Sequence, residues 1–128
     1  MLDKLVKIVA GLLGVMLLGI GLCWLVAPTV AAPLIGMLML QDVAASSQIG
    51  DLGAFFFVAG AFALLGLYTR NATLLYTPAA LVGAAAVFRL VAWWAHGAAF
   101  AAQMIVLELV MCRLFLMARK RLADEGAR

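Results

Sequence analysis

The chain has 128 residues, of which 68% are hydrophobic and only 12% charged, and its mean hydropathy is +1.18. A soluble domain of this length has too little interior to hide so much apolar surface, so the composition excludes an ordinary globular protein and makes the bilayer the expected solvent. The pI near 9.2 raises the question of nucleic acid, but the basic residues gather at the ends of apolar runs rather than along one face, and that partner is excluded.

Lys4 and Lys7 precede the first apolar run, residues 8–27, which carries no charge. A signal peptide also joins a basic start to an apolar stretch, but its apolar core is only about 7–15 residues long; residues 8–27 are expected to be an uncleaved first span. Gly11, Gly14, Gly19 and Gly21 lie within it and allow another helix to come close. Gly14 and Gly21, a heptad apart, predict a shared contact face toward a helix of this chain or of a partner.

Residues 28–50 form the longest connection. An apolar piece, 30–40, is broken by Pro33 and Gly36 and followed by the polar stretch 41–48. It is too short to cross, which predicts a re-entrant or interfacial flap over the outer mouth. Asp51 then opens a second span, 52–68, as an N-cap or first-turn acid. Phe55, Phe56, Phe57 and Phe62 cover all sides of its upper half and predict contacts with lipid and neighbouring helices rather than a cofactor box.

The third span, 72–95, is interrupted only by Arg89, and the fourth, 98–118, carries Gln103, Glu108 and Arg113 before a charged tail at 119–128. Each run is near the ~20 residues a helix needs to cross the hydrocarbon. Strands are excluded because the runs do not alternate and a barrel needs about eight of them or more. The expected fold is therefore an all-α integral membrane protein, a single four-transmembrane-helix domain over 1–128 with a short re-entrant or interfacial segment between helices 1 and 2.

Of the nine Lys and Arg, two precede span one, Arg70 sits in the short second turn, five (Arg113, Arg119, Lys120, Arg121, Arg128) end the chain, and the two opposite loops carry none. The positive-inside rule then predicts cytoplasmic N- and C-termini. Trp93, Trp94 and His96 fall at the outer interface, where amphipathic rings settle.

Charges inside a membrane are costly and need a partner or a cavity. Arg89 lies roughly 10 Å below His96 and Glu108 roughly 15 Å below Ala98, so antiparallel neighbours bring the two within reach of a long side chain. An Arg89–Glu108 ion pair is predicted, with Gln103 slightly above as a further partner. It serves either as a clip that fixes helix register or as the floor of an outward-opening cavity. Arg89, Trp93 and His96 follow i, i+4, i+7 and share a helical face, flanked by the small residues Ala85, Ala86 and Ala92. Facing the cavity, His96 and Asp51 would form its rim, and a cluster of Asp51, Arg89, His96 and Glu108 could hold a polar headgroup or move protons. One His and two distant cysteines, Cys23 and Cys112, cannot make a zinc or iron–sulfur site. The cysteines differ in depth by roughly 15 Å, too far to bridge; no cofactor or metal is expected.

Gly50-Asp51-Leu52-Gly53-Ala54 opening span two, Leu64-Leu65-Gly66 closing it, Leu25-Val26-Ala27-Pro28 after span one, Arg89, His96-Gly97 and Glu108 together resemble a bacterial family known as domain of unknown function 4345. They are also similar to the wider DoxX-like four-helix membrane proteins. The resemblance implies a compact four-helix bundle in the bacterial inner (plasma) membrane, in which an Arg of the third helix and a Glu of the fourth recur, matching Arg89 and Glu108. The family's turn usually carries an acid before its glycine where this chain has His96, so a role tied to that acid does not transfer. DoxX-like relatives include subunits of quinone-linked oxidoreductases and proteins that assist membrane-protein assembly.

The first functional expectation is a non-enzymatic accessory, scaffold or assembly protein for a membrane complex, with another membrane protein or a second copy as partner. Its grounds are the short loops, the glycine-lined first helix and the absence of a catalytic set. The alternative is a binder or carrier of a lipid, quinone or sterol-like molecule in a cavity floored by Arg89–Glu108. A subunit of a quinone-linked oxidoreductase or a small transporter comes last, because no inverted repeat, haem ligand pair or flavin motif is visible.

Overall fold

The structure, a computed structural model, describes residues 1–128 and is helical throughout, without strands. The first helix, α1 (Leu2–Val26), breaks at Ala27, whose φ of −144° lies outside the helical region. A two-turn helix, α2 (Pro28–Leu34), starts on Pro28, where the missing N–H costs nothing. Gly36 then turns the chain at a φ of +74°, a left-handed conformation that favours glycine, and residues 37–41 carry no regular structure.

The polar stretch expected in the loop is instead helical. Helix α3 (Asp42–Ser47) passes through a π turn (Gln48–Leu52) into α4 (Gly53–Tyr68) without interruption, so the second apolar helix runs from Asp42 to Tyr68 over 27 residues. Helix formers at Ala44 and Ala45 favour the extension, and Gln48, the polar residue it buries at 4% exposure, finds partners there. Asp51 accordingly lies inside the helix, exposed within the π turn, rather than capping its start.

A turn at Arg70 (φ +53°) and a 3-10 segment (Ala72–Leu75) capped by the Asn71 side chain lead into α5 (Tyr76–His96). Gly97, at φ +68°, ends α5 in the left-handed conformation. The last helix, α6 (Ala102–Gly126), begins four residues later than the apolar pattern implied. It also continues through most of the expected tail, because Ala118 and Leu122 remain buried and two ion pairs tie its end to α1. These are Lys7–Glu125 at 2.6 Å and Asp3–Arg121 at 2.9 Å.

Three helices, Leu2–Val26, Asp42–Tyr68 and Ala72–His96, are long and apolar enough to cross a bilayer. The four long helices close into a ring in which α1 meets α4, α4 meets α5, α5 meets α6, and α6 returns to α1. On α1 the buried positions Val6, Ala10, Gly14, Leu17, Gly21 and Trp24 form one stripe at steps of three and four. Gly14 and Gly21 do share a contact face, and its partner is α4 of the same chain. A Cβ on Gly21 would stand 2.5 Å from the Phe57 nitrogen, and one on Gly60 would run into the Leu18 nitrogen and lie 2.6 Å from the Gly14 oxygen. The two backbones are in contact, and only glycine fits.

Neighbours in the ring are antiparallel: Gly14 faces Ala63 and Gly53 faces Trp24 across α1 and α4, while Gly83 faces Cys112 across α5 and α6. The start of α1, the turn at Arg70 and the end of α6 therefore share one end of the molecule. The flap, Asp51 and Gly97 lie at the other.

Candidate functional site

Near the flap end, α5 and α6 bring their two interior charges together. The Nε of Arg89 donates to both carboxylate oxygens of Glu108, at 2.9 and 3.1 Å. Glu108 is nearly enclosed at 12% side-chain exposure, whereas Arg89 keeps 38%. The terminal Nη groups of Arg89 donate to nothing in the protein. One edge of the guanidinium is thus spent on Glu108, and the other, carrying the fork suited to oxygen acceptors, stays open.

That side chain lies on the wall of a cavity of about 270 Å³. Leu17 of α1, Phe55 and Phe56 of α4, Val82 and Ala85 of α5 and Met111 of α6 supply its apolar surface, and Arg89 and Glu108 are its only charged residues. Ile35 and Met37 reach in from the flap. The phenylalanines, expected to meet both lipid and neighbouring helices, divide accordingly: Phe55 and Phe56 line the interior, while Phe57 is exposed.

The flap is fastened on three sides. Trp24, fully buried, packs with Ala31 and Ala32 beneath it, and Met104 of α6 lies 3.1 Å from where a Cβ on Gly36 would stand. Gln48 makes the third attachment: the Leu40 N–H donates to its Oε1 at 2.9 Å, and its Nε2 donates to the Leu38 oxygen at 2.9 Å. One amide side chain thus takes the place of a neighbouring strand for the irregular segment. Gln48 went unmarked in the sequence, although its spacing to Leu52, Phe55 and Phe56 puts it on the cavity face of a helix. A single amide on an otherwise apolar face was the available signal.

Of the six residues singled out from the sequence, only Arg89 and Glu108 are bonded to each other. Gln103 is exposed and forms no side-chain hydrogen bond, Glu108 being already occupied by Arg89. His96 and Asp51 are exposed and unbonded. Trp93 lies against Phe100, their ring centroids 5.1 Å apart, at the flap end of α5. Cys23 and Cys112 are free and partly buried on different helices.

The arrangement is an apolar chamber with one paired charge on its wall, the general form of a small-molecule site. Together with three apolar helices of spanning length, this defines the class: an all-helical membrane protein enclosing a small interior site. The chain belongs to the family described as domain of unknown function (DUF4345), whose profile matches residues 5–119. That match takes in every element that builds the cavity. Comparison with curated proteins and with solved structures finds no match.

Proposed function

We propose that this protein crosses the bacterial inner membrane four times, with both termini in the cytoplasm, and binds a small amphipathic molecule whose oxygen-bearing head rests on Arg89. The observation that carries the reading is the open Nη edge of Arg89 on the wall of an otherwise apolar cavity. Glu108 cancels the guanidinium charge, so a neutral head with carbonyl or hydroxyl oxygens fits better than an anion in that low-dielectric space. At about 270 Å³ the cavity lies at the small end of ligand sites. It accommodates a ring or head and the first carbons of a chain, with the remainder in the bilayer.

Support for the fourth span comes from α6. It equals α1 in length at 25 residues, and its central charge, Glu108, is paired. Arg113 and Arg119 lie toward the basic end, from which long side chains snorkel to the interface. Gathering eight of nine Lys and Arg toward one end supports cytoplasmic termini. A reporter active only outside the cytoplasm, fused to the C-terminus, is expected to be silent; activity there would reverse the orientation.

The accessory-subunit reading, the first expectation from the sequence, drew in part on the glycine face of α1, but Gly14 and Gly21 are buried against α4 and unavailable to a partner. Stable co-purification of another membrane protein would revive it. For the binding reading, solvent extraction and mass spectrometry of protein from mild detergent should recover a stoichiometric neutral lipid-like compound. Ala85→Phe fills the cavity while sparing the ion pair, and should lose the compound. A wild-type chain without it, or an Ala85→Phe chain fully loaded, overturns the proposal.

A further inference from the structure

A second site lies at the opposite end of α5 and on its opposite face. Arg119 places its guanidinium carbon 4.1 Å above the centre of the Tyr76 ring. Its Nε is buried without an acceptor, and no carboxylate pairs with it. Nearby acids are otherwise engaged or turned away: Asp3 holds Arg121 and Glu125 holds Lys7, while Asp124, five residues on, lies about 140° around the helix. A cation stacked on an aromatic ring is held in place, so Arg119 is a fixed positive charge without a counter-ion.

From Tyr76 an outward-facing apolar groove of about 290 Å³ runs between α5 and α6. Ala80, Gly83 and Ala84 form one wall, and Cys112 and Leu116 form the other. From Tyr76 to Ala84 it follows about 12 Å of helix, enough for the upper part of an acyl chain. We infer that this groove holds an anionic phospholipid of the cytoplasmic leaflet, its phosphate on Arg119 and one acyl chain along the small residues of α5. The chemistry is matched at both ends, with a cation at the headgroup and a smooth apolar channel below. A second copy of the chain fits less well. Copies share one orientation in the membrane, so a symmetric contact here would bring two unpaired Arg119 cations to the same depth. The inference does not depend on the interior cavity, which uses the Val82, Ala85 and Arg89 face of α5.

Native mass spectrometry in mild detergent, with equal phosphatidylglycerol and phosphatidylcholine added, tests the site. The wild-type chain should retain phosphatidylglycerol about fivefold over phosphatidylcholine, the preference expected of one cation near the headgroup. Arg119→Gln should bring the two lipids to near parity. Ala84→Phe, at an exposed position in the groove, should remove the retained lipid of either kind. Equal retention by the wild type overturns the inference on that arm alone, whatever the variants do. So does a preference that survives Arg119→Gln, or a dimer that Ala84→Phe dissociates without any change in bound lipid.

Discussion

The α1–α4 seam and the α5–α6 seam solve the same problem in opposite ways. Inside a membrane, burial of apolar surface gives helices little reason to associate, because lipid is as apolar as leucine; close packing and polar contacts must serve instead. On the first seam the contact is backbone to backbone, with Gly14, Gly21 and Gly60 removing every obstacle. On the second, side chains such as Val82 and Met111 meet in the core, and an ion pair, Arg89–Glu108, bridges the helices on the wall of the interior cavity. The first seam is fixed by backbone contact and the second by side chains, among them the ion pair beside the cavity.

The sharpest way to break that contrast is to add a methyl group to each seam. Gly60→Ala would drive a carbon into the Leu18 backbone, which has no rotamer with which to yield. A loss of about 3 kcal/mol, the upper end for overpacking, is expected in reversible unfolding from mixed micelles. Gly83→Ala meets the Cys112 sulfur at 3.1 Å, the end of a side chain that can move, and should cost a small fraction of that. Gly19 has nothing within 4 Å, so Gly19→Ala should be neutral or slightly stabilising. Equal losses at Gly60 and Gly83 would erase the distinction between the seams.

The ion pair offers the next test. Arg89→Ala leaves Glu108 in an apolar setting, and a loss of about 2 kcal/mol is expected, moderated by the partial exposure of Arg89. Unchanged unfolding would sink the pair as a stabilising contact. Arg89→Leu combined with Glu108→Leu removes both charges and should recover most of the stability. If the pair only fixes register, the double variant should still carry any ligand; if Arg89 receives a head group, the refolded chain should come free of it.

The Arg89–Glu108 pair was legible from the sequence because depth in a membrane can be counted. The run is long, the rise per residue is fixed, and the flanking turns set the zero. The heptad of Gly14 and Gly21 was legible for the same reason, although not the identity of their partner. Gln48 and the helical stretch from Asp42 were hidden because polar residues before a span look like loop until partners are found for the one that is buried. In this case the acceptors and donors come from Leu38 and Leu40, residues whose position depends on a turn at Gly36. The cavity was only half legible: its charged wall could be inferred, but its volume depends on how Phe55, Phe56 and Met37 pack. His96 and Asp51 shared an end of the molecule with Arg89, and sharing an end is weaker than sharing a site.

Gln48 ties the flap across the cavity, so its loss should loosen the roof without opening either seam. Gln48→Leu keeps the apolar bulk and leaves the Leu40 N–H and Leu38 oxygen without their partner. About 1–2 kcal/mol of stability should be lost, and hydrogen exchange at Leu40 should speed while that of α5 and α6 stays unchanged. Faster exchange spread over all helices would show that the flap is part of the framework.

The smallest effect is expected where α6 returns to α1. Lys7–Glu125 and Asp3–Arg121 close the basic end, but these side chains are 28–51% exposed and the surrounding water and salt screen them. Glu125→Gln should cost about 0.5 kcal/mol at low ionic strength and nothing measurable in molar salt. Because Lys7, Arg121 and the neighbouring cations would then lose a compensating acid, the same substitution should strengthen binding to anionic vesicles. No loss even at low ionic strength would mean that the end of α6 is held by Ala118 and Leu122 packing on its neighbours, with the charges serving orientation alone.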